Sequence, residues 1–494
     1  MYRGVTAGAI LIAVCGCGAG SSPARTDPQG ATQTAAAPAH RQPVARPSAF
    51  SAQDWPMFGR TPARTSSTGN IGISAANAPK LRHRTVSLPG VVDSSPIFLH
   101  DVTAGGSKRD LFLMNTTYGR VVAVDPASAK IVWTFTPKGI NGWKGSYRIT
   151  NATPAVSADR SFVYSGSPDG RVHKLSISDG AEQGGRWPVS ITKLPSREKV
   201  TPSFGLIGGR LIVGTGGYVG DAPPYQGHIV AIDPGDGRII GVTNSLCADR
   251  HAIINPSTCS SSDSAFWSRS GAVRLPDGSL VFATGNAPFD GKRDFGDSVI
   301  RVSADARRLL GSWTPANHEE LNAGDVDLGS TGPVVIGGGS LLQSGKDGVL
   351  HVFAIRALNR KGSLGHERQQ LPAPGGSGVF TAPAVWKHGK QTWVFVTNDS
   401  GTAGYTQSGG RLHKRWSASR AGTSPIVAGG LLWVYDPSGA LLAYRPSTGA
   451  RVASLPAGSG HWNSPVPGIG VIALPEGNGN DHDENGVLNL YARG

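Results

Sequence analysis

The chain has 494 residues, among them 69 glycines and 35 prolines, and a formal net charge of +14. Beyond the first residues no apolar run is long enough to span a bilayer as a helix, and this much Gly and Pro punctuation suits many short strands and tight turns better than long helices. The surplus Arg and Lys are scattered singly through the chain without a nucleic-acid-binding motif, so a nucleic-acid partner is not expected.

The amino terminus reads as an address. Arg3 precedes an apolar stretch, Val5 to Val14, that is too short to span a membrane. It runs into Val-Cys-Gly-Cys at residues 14–17, with an aliphatic residue three before Cys17 and a small residue directly before it. This arrangement resembles a bacterial lipoprotein signal. Residues 1–17 are therefore expected to be the signal and Cys17 the lipidation site. An ordinary secretory signal with two incidental cysteines is the alternative. Residues 18–50 are Ser, Ala, Pro, Thr, Gln and Arg with little to bury, which predicts a disordered tether. An anchor followed by such a spacer would hold residues 51–494 off a membrane surface, outside the cytoplasm.

After residue 50 a single grammar recurs. A small residue before a proline, followed by apolar residues, appears at Pro96, Pro154, Pro202, Pro333, Pro383, Pro425 and Pro465, and a degenerate copy has Gly271 in the proline's place. Each signal is followed by strand-like segments such as LFLMNT, LIVGTG or LWVYDP, a Gly-containing turn, a third strand such as GRVVAV or GALLAY, and a bend into a fourth. Eight such units of roughly 40 to 50 residues predict an all-β fold, an eight-bladed β-propeller of four-stranded antiparallel blades. The last unit, GVLNLYARG, supplies a third strand and no fourth, whereas Leu81 to Leu88 precedes the first unit as a spare strand. A ring with a free edge invites aggregation, so this amino-terminal strand is expected to complete the last blade and close the ring. A monomer is expected.

Two cysteines fall inside the repeats. An exported chain meets oxidising surroundings, so Cys247 and Cys259 are expected to form a disulfide. Neither has the spacing of a metal site.

One phrase recurs at the outer edge of the units: AVDPASAKIVW from Ala123, with weaker copies from Ala231 and Ala443. Asp and Gly chemistry makes the turn, and Trp133 offers a flat face to wedge between blades. AVDPASAKIVW resembles the tryptophan-docking repeat of quinoprotein-type propellers, the pyrroloquinoline quinone (PQQ) repeat. Ala129 stands where Gly is usual, and Gly241 replaces the tryptophan in the second copy. DWPMFGRTPARTSS at Asp54, SGAVRLPDGSLVFATGNAPFDG at Ser270, FGDSVIRVS at Phe295 and HWNSPV at His461 likewise look like bacterial PQQ-like secreted propellers.

In a propeller, loops entering each first strand and loops joining second to third strands crowd one face. The entering loops carry Asp93, Arg148, Asn151, Arg197, Lys199, Trp267, Arg269, Asp325, Asp327, His461 and Trp462, and the joining loops include the long insertions from Gly216, Gly285 and Gly477. Long insertions are better functional candidates than tight turns. The ligand-binding face is accordingly assigned to Trp267, Arg269, Asn286, Asp290, Asp297, Asp325, Asp327, Lys346, Asp347, His461 and Trp462. Its oxygen-bearing side chains, with Asp294 and Asn322, could hold a hard cation such as calcium. The competing reading is that they bond their own backbone in Asx turns. No GxSxG, HExxH or CxxCH motif is present, so hydrolase, zincin and attached-haem readings have no support.

The resemblance implies two functions. One is a lipid-anchored binding or scaffold module in the cell envelope, with an envelope protein or a small molecule as partner. The other is a quinoprotein dehydrogenase that oxidises alcohols or sugars with PQQ and calcium. Many enzymes of the methanol-oxidising kind stack PQQ on a disulfide between adjacent cysteines, a pair this propeller lacks, and no catalytic residue can be matched one by one. The binding reading is preferred.

Overall fold

The computed structural model describes residues 50–218 and 220–494. The expected signal at 1–17, Cys17, and the tether as far as residue 49 lie outside the described residues. The eight units form eight separate sheets, each a radial blade of an eight-bladed propeller. Blade 1 is Ile97–Ala104, Ser107–Asn115, Val121–Asp125 and Lys130–Phe135, numbered from the axis outward, and the other blades follow in chain order.

Burial explains why the strands read as they do. In blade 1 the third strand, VVAVD, is buried at every position, because a blade packed between two neighbours has no wet face. In blade 7 the second strand, LLWVYD, is buried throughout for the same reason. The fourth strands lie at the rim and alternate, as in Arg451–Pro456, where Ala453 and Leu455 point inward.

Ring closure is as the sequence implies. Arg82–Leu88 pairs antiparallel with Gly486–Ala492, from Arg82 opposite Ala492 to Leu88 opposite Gly486, and completes the sheet of blade 8. Val86 and Leu88 are its buried positions, and they join one core cluster with Leu488, Leu490 and Ile472.

The repeated phrase docks blade on blade. Asp125 Oδ1 accepts from the Ala127 amide at 2.8 Å and starts the turn, and Ala129 takes the left-handed conformation (φ 56°) that favours the usual glycine. Trp133 Nε1 then donates to the Ile177 carbonyl of blade 2 at 2.9 Å. Trp313 makes the same kind of bond to Gly365 at 2.8 Å, and Trp416 to Pro446 at 2.8 Å. Blade 3 departs from this. A Cβ on Gly241 would overlap the Asp305 carbonyl oxygen, because the blade 4 turn sits down on the strand. There Thr243 Oγ1 donates to Ala306 at 2.8 Å, and Arg307 Nε donates to Ile240 at 2.7 Å.

Three features go beyond the sequence reading. Ser363–Leu364, in the excursion between the third and fourth strands of blade 5, pairs in parallel with Trp313–Thr314 and gives blade 4 a fifth strand. A short helix, His318–Ala323, precedes blade 5. The third is the path of residues 55–71. Trp55 bridges Phe98 in blade 1, the Pro56 carbonyl accepts from Val156 in blade 2, Pro62 from Arg274 in blade 4, Thr65 from Val385 in blade 6, and Ile71 from Gly470 in blade 8. The motif at Asp54 is a belt laid along the first strands.

Cys247 and Cys259 are disulfide-bonded, with Cα atoms 6.2 Å apart, in the connection between blades 3 and 4. A loop this short contributes about 3 kcal/mol by the chain-entropy argument.

Candidate functional site

The chain enters every first strand from one side of the ring, and this side collects the charged and aromatic side chains. Asp93, ahead of blade 1, is buried. Its Oδ2 lies 2.8 Å from His461 Nδ1 and accepts from the Gly479 amide at 3.3 Å, and its Oδ1 accepts from the Trp462 amide at 3.0 Å. Burial alone would raise this carboxyl, but the bond to His461 and the nearby Arg269 charge hold it below the usual range.

Arg269, ahead of blade 4, is also buried. Its guanidinium lies 4.0 Å from the centre of the Trp462 ring, and one N–H reaches the Asp93 carbonyl at 3.5 Å. Desolvation pulls its pKa down to about 10. Trp462 is half-buried, stacked on His461 at 3.6 Å and on Phe380 at 6.2 Å between ring centres.

Trp267 is two residues before Arg269. Glycine at 285 makes room for it, since a Cβ there would stand 2.8 Å from its Nε1, and Tyr225 meets it edge-on at 5.9 Å. Lys199, in the short strand Glu198–Val200 that pairs with Arg210–Gly217 of blade 3, is 3% exposed, and its Nζ lies over the Trp267 ring at 5.7 Å. Among the described residues it has no hydrogen-bond acceptor. Burial and the Arg269 charge lower its pKa to about 8.

A second cluster surrounds Asp327. Lys346 Nζ lies 2.5 Å from Asp327 Oδ2 and donates to the Asp325 carbonyl at 3.0 Å. Asp327 Oδ1 accepts from the Asn286 amide at 2.9 Å. Asp297 is wholly buried, with Oδ1 accepting from the Leu328 amide at 3.0 Å and Oδ2 without a partner. Burial and the charge of Asp327 raise its pKa to about 8, so it is largely protonated at neutral pH.

Of the side chains assigned to the face, Trp267, Arg269, His461 and Trp462 gather around Asp93 and Lys199, while Asp297, Asp325, Asp327, Lys346 and the Asn286 backbone form the second group. Two belong elsewhere. Asp290 is exposed and its Oδ1 accepts from the amides of Lys292, Arg293 and Asp294, which is the Asx-turn reading. Asp347 bonds His351 Nε2 at 2.7 Å within blade 5. Lys199 was expected in an entering loop, whereas the structure puts it in a strand paired with blade 3, and nothing in the sequence said that it would be buried.

The carboxylates do not fit a calcium-bound quinone. Both oxygens of Asp327 are engaged by Lys346 and a backbone amide, and among the described residues no three His, Cys, Asp or Glu side chains are placed to hold a metal ion. A Ser–His–Glu chain does occur in blade 2, where His173 lies 2.7 Å from Ser167 Oγ and 2.5 Å from Glu182 Oε1. Ser167 is completely buried and is also bonded by Asp169. No substrate can reach it, so the chain is a structural clamp.

The family model described as outer membrane protein assembly factor BamB matches residues 76–252, from the closing strand through blade 3. Among solved structures, the quinohemoprotein alcohol dehydrogenase from Comamonas testosteroni is similar at 14% identity, covering 89% of this chain and 80% of that chain with a TM-score of 0.66. A europium-containing methanol dehydrogenase is similar at 15% identity over 90% and 98% of the two chains, also with a TM-score of 0.66. BamB from Moraxella catarrhalis is similar at 12% identity over 83% and 98%, with a TM-score of 0.50. At these identities the likeness concerns fold. No curated protein sequence matches the chain.

Proposed function

We propose that this PQQ-like β-propeller acts outside the cytoplasm as a binding module of the cell envelope, and that the face around Asp93, Arg269 and Trp462 is its contact surface. A single observation carries the reading. Trp462 and Trp267 are half-buried beside two buried cations, Lys199 and Arg269, that no carboxylate among the described residues bonds. Buried charges are costly unless paired, so this is a surface that gains by meeting a ligand. The match to the BamB family model and the Cys247–Cys259 disulfide agree with a place outside the cytoplasm. Lipidation at Cys17 would fix the module to a membrane, with an envelope protein or small molecule as partner.

The quinoprotein dehydrogenase reading has the overall likeness to alcohol and methanol dehydrogenases in its favour. The engagement of both Asp327 oxygens by Lys346 and the Asn286 amide counts against it.

The test uses the full chain and photo-crosslinkers placed either at Ser377, three residues before the Phe380 that stacks on Trp462, or at exposed Arg451 in the fourth strand of blade 7. Partners joined from Ser377 and absent from Arg451 are the expected result. In parallel, the chain is dialysed after incubation with PQQ and calcium. Retained quinone with dye-linked alcohol oxidation would replace the binding reading with the dehydrogenase.

A further inference from the structure

We propose that Lys199 and Arg269 form an oxyanion site that receives one carboxylate or phosphate group of a small ligand. The inference rests on the reading of this face as the contact surface and names what it holds.

Two observations independent of that reading support it. The first is the state of the cations. Lys199 is 3% exposed, and its ammonium has only the face of Trp267 at 5.7 Å. Arg269 is 7% exposed, and its guanidinium has the face of Trp462 at 4.0 Å and a single 3.5 Å contact to a backbone carbonyl. An aromatic face offsets part of the lost hydration of a cation and leaves its N–H donors unused.

The second is that the nearby carboxylates are turned to other work. Asp93 uses both oxygens on His461, Trp462 and Gly479, and it offers Arg269 only its main-chain oxygen. Asp221 accepts from the Tyr225 hydroxyl at 3.3 Å and makes no ion pair with Lys199. After burial, the Arg269 charge lowers the Lys199 pKa most and outweighs the opposing pull of either of the more weakly acting Asp221 and Asp93. Two buried cations that meet no ion-pair partner among the described residues are complementary to an anion. The chemistry suits an oxyanion in particular: the guanidinium presents a planar fork for two oxygens, and the ammonium adds a compact charge with rotatable donors.

The experiment titrates the full-length chain with inorganic phosphate, phenyl phosphate, succinate and benzoate at constant ionic strength. Heat and tryptophan fluorescence are both followed. Saturable binding of at least one probe is expected, and the phosphate and carboxylate arms show which group is preferred. Lys199→Met and Arg269→Met are each expected to weaken that binding roughly tenfold or more, Lys199→Arg to keep most of it, and Lys193→Met, an exposed lysine on the same segment, to change nothing.

Should a Met variant not fold, the wild-type chain is acetylated with and without the bound probe and Lys199 followed by mass spectrometry. Protection of Lys199 but not Lys193 supports the site. No saturable binding by any probe, or equal binding by a folded Lys199→Met, overturns it. A partner crosslinked from Ser377 with no probe bound would sink the oxyanion site and leave the contact-surface reading standing.

Discussion

Arg64 Nε donates to the carbonyl oxygen of Ala272 at 2.9 Å, across 208 residues of sequence. The same guanidinium donates to Phe58 at 2.7 Å and to Phe204 at 3.1 Å. Phe204 and Ala272 directly precede the first strands of blades 3 and 4, so one side chain of the amino-terminal belt pins two blades. The guanidinium is 1% exposed, and burial pulls its pKa down to about 9, which leaves it charged at neutral pH.

Arg64→Met is therefore expected to strand three carbonyl acceptors and to destabilise the propeller by about 3 kcal/mol or more, since hydrogen bonds to charged groups are worth about 1.5–3 kcal/mol each and the relief of desolvation returns part of that. Arg60→Met, at a half-buried site whose bonds stay within residues 52–67, is expected to cost less. Urea unfolding of the two variants decides it, and equal losses would mean that the belt does not pin the blades.

The ring should be equally sensitive at its latch. Val86 is buried opposite Leu488, whereas Thr85 beside it is exposed. Val86→Asp places a carboxylate in the closing core and is expected to cost more than about 3 kcal/mol, against about 0.5 kcal/mol or less for Thr85→Asp. Thermal unfolding of the pair measures the difference. Similar melting points would show that the amino-terminal strand is not holding the ring closed.

His351 lies between two carboxylates, 2.7 Å from Asp347 and 3.2 Å from Glu367, with its side chain 3% exposed. Burial works against its charge, but the bonds to Asp347 and Glu367 prevail and raise its pKa to about 8. A group raised above its unfolded value of about 6.5 stabilises the fold fully below pH 6.5 and loses that contribution as pH climbs through 8. The shift corresponds to about 2 kcal/mol. The depressed pKa of Glu367 is the same interaction seen from its partner and is not added. Chemical denaturation of the wild type should show stability falling between pH 6.5 and 8. His351→Gln should flatten part of that slope and leave the parts due to His228, which Glu198 raises, and to buried Asp297, whose raised carboxyl also favours low pH across this window. An unchanged slope in His351→Gln would place the titration elsewhere.

The count of blades, the closing strand and the cysteine pair were all legible because each is written locally: a proline before a strand, a spare strand at one end, two cysteines close in sequence in a chain whose amino terminus reads as an export signal. What stayed hidden was long-range. Nothing in DWPMFGRTPARTSS says that Arg64 will meet Ala272, and nothing near Asp93 says that it will be claimed by His461 and Trp462. The acidic loops misled for a related reason. Asp290 and Asp327 look alike in sequence, yet one caps its own turn while the other holds Lys346. Sequence spacing carries turn chemistry well and carries partners across a ring poorly.

The missing tryptophan of blade 3 makes the sharpest case. By analogy with Trp133, Gly241 is a gap in a docking motif, and Gly241→Trp would be the natural repair. The structure predicts the opposite. Where Trp133 has the next blade's Ile177 carbonyl to bond, position 241 faces the Asp305 carbonyl so closely that even a Cβ would overlap it, and the Arg307 side chain packs there as well. Blade 4 already docks without a tryptophan, through Thr243 to Ala306 and Arg307 to Ile240. Gly241→Trp should force that turn away, break both bonds, and cost several kcal/mol, about 3 or more by the usual scale for overpacked sites with lost hydrogen bonds. Even Gly241→Ala should be measurably destabilising, which separates overlap from side-chain bulk. If Gly241→Trp melts at or above the wild-type temperature, the close approach of blade 4 to blade 3 is wrong, and the docking motif is portable between blades.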